Sequence, residues 1–183
     1  MHGIFYNRRD DEIVVPVALG GAVLTLPGGA SGGDPPLRVI QGPKTEIVQP
    51  DTLYLDVAHD EMVVDSGDNS VLVFRRTASG DVAPIRKIGG PKTHIDNIFG
   101  LTVDSVRDLI IVANRIETDG RESSDGILMF NRTDSGDVEP RATIAGPHTG
   151  IIKIRQVDVD EERGLIFATI KNKIGRASCR ERV

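Results

Sequence analysis

Pro36-Leu-Arg-Val-Ile-Gln-Gly-Pro-Lys-Thr45 returns as Pro84-Ile-Arg-Lys-Ile-Gly-Gly-Pro-Lys-Thr93 and again as Pro140-Arg-Ala-Thr-Ile-Ala-Gly-Pro-His-Thr149. The boxes begin at residues 36, 84 and 140, so the steps are 48 and then 56 residues. The extra eight residues can be placed. Leu55-Asp56 aligns with Val103-Asp104 at the shorter step, whereas Ser70-Val-Leu-Val-Phe74 aligns with Gly126-Ile-Leu-Met-Phe130 at the longer one. The insertion therefore lies between Asn114 and Asp125. Each unit also closes alike, on Arg76-Thr-Ala-Ser-Gly-Asp-Val82 and Arg132-Thr-Asp-Ser-Gly-Asp-Val138. Upstream, Asp11-Glu-Ile-Val-Val15 matches Asp60-Glu-Met-Val-Val64, and Asn7 falls where Asp56 and Asp104 stand. The chain thus reads as a partial unit over 1–35, full units over 36–83 and 84–139 (the latter with an insertion at 115–124), and a shortened unit over 140–173.

A period near 48 residues decides the fold class. Each unit holds four short runs rich in Val, Ile, Leu and Phe, separated by Gly, Pro, Asn, Asp and Ser, which is how strands are punctuated. Several runs, such as Leu109-Ile-Ile-Val-Ala113, are apolar throughout, as suits strands covered on both faces. No segment keeps a 3.6-residue periodicity for ten residues. The expectation is an all-β partial β-propeller of four-stranded antiparallel blades, about three blades plus partial ones. A β-solenoid is the structural rival, but its coils are about half this length or less.

Composition narrows the classes. Across 183 residues the net charge is −5, with 39% hydrophobic and 27% charged residues, which fits a globular chain without the basic stripe of a nucleic-acid surface. No apolar run approaches the ~20 residues of a membrane-spanning helix. The final stretch, Ile174-Gly-Arg-Ala-Ser-Cys-Arg-Glu-Arg-Val183, continues no upstream pattern and resembles the read-through of a sequencing-library adapter. Residues 174–183 are accordingly set aside as non-native. Cys179 is the only cysteine and lies in that stretch, so neither a disulfide framework nor a thiolate zinc site is expected.

Gly100-Leu-Thr-Val-Asp104, Leu109-Ile-Ile-Val-Ala-Asn114 and Ile127-Leu-Met-Phe130 together resemble the NHL-repeat pattern. The Val-Ala-Asn114 element is also similar to the Tyr-Val-Thr-Asn repeats of bacterial surface propellers and of lactonase-like proteins. The absence of Trp disfavours the tryptophan-aspartate and kelch repeats. The resemblance implies that the Gly-Leu-Thr-Val-Asp strand is innermost and the Pro-Ile-Arg-Lys-Ile strand outermost. It implies a parent of about six or seven blades, and extracellular or periplasmic residence.

Two features bear on chemistry. Asp56, Asp104 and Asp160, with Asn7, recur at the end of one strand. They read either as turn-forming acids that accept backbone N–H bonds or as a ring of carboxylates for a cation; recurrence in every unit favours the first. The second feature is the insertion. Loops on a rigid scaffold carry recognition, and the longest runs over 114–125, offering Asn114, Arg115, Glu117, Asp119, Arg121, Glu122 and Asp125 as candidate ligand- or partner-binding residues. The NHL resemblance implies that loops 44–51, 92–99, 148–155 and 65–70 share that end of the blades. The acids of 114–125 lack the alternate spacing of a calcium loop, and His2, His59, His94 and His148 form no zinc spacing. Gly28-Gly-Ala-Ser-Gly-Gly33 precedes no helix, so it reads as a flexible turn.

The expected function is a non-catalytic binding or scaffold module, without cofactor, for a protein or small-molecule ligand. The alternative is part of a lactonase-like, gluconolactonase-type hydrolase that uses a metal, with calcium the implied ion. By this reading residues 1–173 leave unpaired strand edges and apolar faces uncovered. Sedimentation should find self-association, and a cooperatively folding monomer would overturn the expectation.

Overall fold

The computed structural model describes residues 3–116, 125–171 and the backbone of 179–182. Two compact units divide it, Met1–Lys87 and Ile88–Val183. In the first, β1 (Phe5–Asn7), β2 (Glu12–Val17), β3 (Ala22–Pro27) and β4 (Arg38–Gln41) form one sheet in chain order. A second sheet comprises β5 (Leu53–Asp56), β6 (Glu61–Ser66), β7 (Ser70–Arg75) and β8 (Arg86–Gly89), the last crossing the unit boundary. The other unit has a sheet of β9 (Ile98–Asp104), β10 (Leu109–Asn114), β11 (Gly126–Asn131) and β12 (Ala142–Ala145). Beside it lies a sheet of β13 (Ile154–Asp160), β14 (Leu165–Ile170) and β15 (Cys179–Arg182). The chain is all-β, in antiparallel meanders of the kind a propeller blade uses.

Sheets and sequence repeats run out of phase by one strand. The repeat over 36–83 contains β4 through β7, so its first strand completes the preceding sheet; the repeats over 84–139 and 140–173 do the same with β8 and β12. The Pro-to-Thr box is the strongest landmark in the sequence. Strand pairing, however, is settled by the fold-back of the Ser-Gly-Asp connection, which returns the chain to the strand it has just left.

Packing follows from two-faced strands. In the first unit Val14, Val23 and Ile40 from one sheet share a core with Leu53, Leu55, Met62, Val64, Leu72 and Phe74 from the next. In the second, Leu109, Ile111, Ala113, Ile127 and Met129 meet Ile154, Val157, Ile166 and Ala168. The alternate residues Ile110 and Val112 are also wholly buried, as the unbroken apolar run of β10 requires. Pro16 sits in β2 without harm, because β1 pairs only with residues 12–14.

Buried ion pairs vary between sheets in a way that keeps each pair whole. Arg38 donates to Glu12 at 2.8 Å across the first sheet, and Arg86 grips both oxygens of Glu61 at 2.9 and 2.6 Å across the second. The equivalent positions of the third sheet are Leu109 and Ala142. A buried pair and an apolar pair are close in net stability, whereas half a pair is costly.

The two most regular motifs prove to be halves of one joint. Gly80 N–H donates to Val39 at 2.6 Å, and an Asp81 carboxylate oxygen accepts the Lys44 N–H at 2.7 Å. The Gly80 carbonyl in turn accepts the Gln41 N–H at 3.3 Å, and the second unit repeats that bond and the carboxylate's: the Gly136 carbonyl accepts the Gly89 N–H at 3.2 Å, and Asp137 accepts the Lys92 N–H at 2.7 Å. Glycine at the start of each box is required twice over. Gly90 has φ +130°, and a Cβ there would lie 2.6 Å from the Asp137 carboxyl carbon.

The strand at 179–182 belongs to the stretch set aside as non-native, yet it pairs with Leu165–Ala168 of β14. An open sheet edge is a ladder of backbone groups and accepts an extended segment of almost any sequence.

Asp65, 3% exposed, tethers the entry to β5 by accepting the Asp51 and Thr52 N–H groups at 2.8 and 2.7 Å. Burial pushes its carboxyl up to about 6, against the opposing pull of those N–H bonds. Because the folded value exceeds the unfolded one, the fold takes up a proton here: this group's contribution to stability is fully present below about pH 4 and is lost as pH rises through 6, a change of about 3 kcal/mol. Asp65→Asn should abolish that part of the slope in urea titrations between pH 4 and 7. In the joint, Gly90→Val should destabilise the chain by more than Asp137→Ala, which should cost about 1 kcal/mol; the order of urea midpoints checks this.

Candidate functional site

The recurrent strand-end acids are turn formers. Asp104, fully buried, accepts the Val106 and Arg107 N–H groups at 3.1 and 2.9 Å, and its other oxygen takes the Arg107 guanidinium at 2.9 Å. Asp56 does the same with the His59 N–H and ring Nδ1, and Asp160 with the Arg163 N–H and guanidinium. Asn7 caps its turn through the Arg9 N–H at 3.1 Å. Each carboxylate is turned into its own hairpin. Among the described residues no three His, Cys, Asp or Glu side chains converge.

Of the insertion candidates, Glu117, Asp119, Arg121 and Glu122 lie outside the described residues. Asn114 and Asp125 are buried and hold loops. Asn114 Oδ1 accepts the Asp96 N–H at 2.8 Å while its Nδ2 donates to the His94 carbonyl at 3.0 Å, a clamp that Ser66 supplies on the Glu46 and Val48 backbone in the first unit. Asp125 accepts the N–H groups of Ile116 at 3.3 Å and Ile154 at 2.9 Å. What these two side chains give the site is position.

Arg115 is different. Its guanidinium carbon stands 4.9 Å from the centroid of the Phe99 ring, and the guanidinium carbon of Arg155 stands 5.0 Å from the same centroid. The backbone explains how these side chains meet. Ala113 pairs with Gly100 and Asn114 with Ile98, so Phe99 is the extra residue of a bulge in β9. In β13, Ile154 pairs with Ile170 and Gln156 with Thr169, which makes Arg155 the extra residue of an equivalent bulge. A bulge twists its strand and re-aims one side chain. Between the two strands Gly100 permits close approach: a Cβ there would lie 2.9 Å from the Gln156 Cα. Asn114, clamped to the loop before β9, then delivers Arg115 to the same ring.

Sequence reasoning found Arg115 and missed Phe99 and Arg155. No signal set them apart: in the repeat alignment this position reads Asp51, Phe99 and Arg155, but the next reads Thr52, Gly100 and Gln156 and is equally varied. Two guanidiniums lie over one aromatic ring here. The ring attracts each, by about 0.5–1 kcal/mol at a partly exposed site, while the cations repel one another. A guanidinium can pair through two N–H groups with a carboxylate or phosphate.

No protein-family model matches the chain. No curated protein matches it either. Among solved structures it is similar to a putative 6-phosphogluconolactonase from Bacteroides uniformis, with a TM-score of 0.63 and 14% identity over 92% of this chain. The matched region is 47% of that protein, so this chain spans about half its length. At that identity the likeness is one of fold alone: propeller-like, four-stranded antiparallel sheets.

Proposed function

We propose that this chain is a ligand-recognition module on a lactonase-like propeller fold, and that it takes an anionic small molecule against Arg115, Phe99 and Arg155. One observation carries the reading. Two bulges at the same place in the repeat, in β9 and β13, bring an aromatic and a cationic side chain together, and Arg115 reaches the same ring. The net charge of −5 makes a local pair of arginines the more distinctive as an anion site.

A second reading has one observation in its favour. The structural neighbour's name is that of a phosphorylated-sugar lactonase, and a phosphate is an anion this arginine pair would suit. In that reading Arg115 and Arg155 hold the phosphate of a phosphosugar lactone.

Calorimetry with 6-phosphogluconate and with gluconate on the whole chain tests both. Binding of the phosphorylated compound is expected, with Arg155→Ala weakening it at least 10-fold, since a charge-assisted hydrogen bond contributes about 1.5–3 kcal/mol. Phe99→Leu should weaken it by a smaller factor. Binding of neither compound, or affinity indifferent to Arg155, would overturn the anion site. Hydrolysis of 6-phosphogluconolactone above the spontaneous rate, followed by acid release with and without calcium, would favour the second reading over the first.

A further inference from the structure

Arg115 and Arg155 have two further cations beside them at this end of the second unit. Lys153 stands two residues before Arg155, in the connection that leads into β13, and Lys171 follows β14 directly. The two lysines are joined through the backbone, where the Lys171 N–H donates to the Lys153 carbonyl at 3.0 Å. An equivalent bond places Arg115, whose N–H donates to the Asn97 carbonyl at 2.8 Å. Lys171 therefore holds after β14 the position that Arg115 holds after β10, at the 56-residue step of the repeat.

Charge and exposure set these positions apart. Lys153 and Lys171 are exposed, and neither makes an ion pair among the described residues. The place of Lys153 is open in every repeat, for Gln49 and Asn97 occupy it and are exposed as well. Its exposure thus belongs to the loop and does not depend on what stands beside one sheet. Acids are sparse here: loops 92–99 and 148–155 contain Asp96 alone, and the nearby Asp125 is buried and taken up by two backbone N–H groups. A chain of net charge −5 so gathers Arg115, Lys153, Arg155 and Lys171 at one loop end, which makes the local potential positive.

Given the anion site proposed above, on which this reading rests, we infer that its ligand carries two phosphoryl groups, one held by Arg115 and Arg155 and the second by Lys153 and Lys171. The four cations fall into two pairs, one meeting over the Phe99 ring and one tied by a backbone bond. Their chemistries are complementary. Guanidiniums grip one phosphoryl group through paired N–H bonds, whereas ammonium groups on flexible stems act as compact point charges that follow a second. The Lys153 and Arg155 Cα atoms are at most about 7 Å apart, a separation that linked phosphoryl groups span within the reach of both side chains. A single phosphoryl group engages one pair; two use all four charges.

Calorimetry on the whole chain with inorganic pyrophosphate, phosphate and citrate tests this. Pyrophosphate should bind about 10-fold more tightly than phosphate. Lys153→Gln and Lys171→Gln should each weaken pyrophosphate about 3-fold, as fits exposed charge pairs, and leave phosphate unchanged. Arg155→Ala should weaken both anions, and Lys153→Arg should keep pyrophosphate binding. Equal affinity for pyrophosphate and phosphate, pyrophosphate binding indifferent to both lysines, or citrate binding as tightly as pyrophosphate would overturn the proposal. If phosphate still depends on Arg155 in any of those cases, the anion site stands and the second phosphoryl position alone is lost. If neither phosphate nor pyrophosphate depends on Arg155, both readings fail together.

Discussion

Four-stranded sheets whose strands are apolar on both faces bury themselves only by stacking, and from that requirement the remaining features of this chain follow. Met62, Val64, Leu72 and Phe74 have no shelter within their own sheet; Val14, Val23 and Ile40 supply it. Stacking in turn demands that neighbouring sheets meet at a fixed spacing, and the polar motifs of the repeat provide the spacers. The Asp81 and Asp137 carboxylates pin a turn to a box by one charge-assisted bond each, next to a glycine whose missing side chain makes the room. Neither bond is worth much alone. Their value lies in register, since a stack of flat apolar faces would otherwise slide.

Charged residues in this chain therefore do two kinds of work. Asp56, Asp104 and Asp160 each satisfy the backbone of their own hairpin, and Glu12 and Glu61 are neutralised by an arginine two strands away. These groups repeat because the hairpin repeats. Asp51, Phe99 and Arg155 do not repeat, although they occupy one place in the fold. Structural duty explains the chemistry that repeats; Phe99 and Arg155 are instead tied to one another, and to Arg115, through one ring.

The bulges are the economical part of the arrangement. An extra residue in an edge strand costs a ladder bond or two, and in exchange one side chain leaves the pleat alternation that would otherwise send it into the core or into solvent. Phe99 and Arg155 leave it toward each other. Arg115 reaches the same ring only because Asn114 is locked to the Asp96 and His94 backbone.

The recurrence of the Pro-to-Thr box determined that the chain is all-β, that its unit is four strands, and that an insertion follows Asn114, because a repeat in sequence is a repeat in backbone hydrogen bonding. It also showed the strand-end aspartates to be part of the hairpins. It did not show which three strands each box joins, since pairing depends on where the connection after β7 or β11 folds back. Nor did it show that the Ser-Gly-Asp turn and the Gly-Pro box are partners, for they lie 37 residues apart in one joint and 45 in the other. The bulges at Phe99 and Arg155 were likewise beyond it. A one-residue shift of register is invisible along a single strand and exists only between two, so the encounter of Arg115, Phe99 and Arg155 was decided by tertiary structure alone.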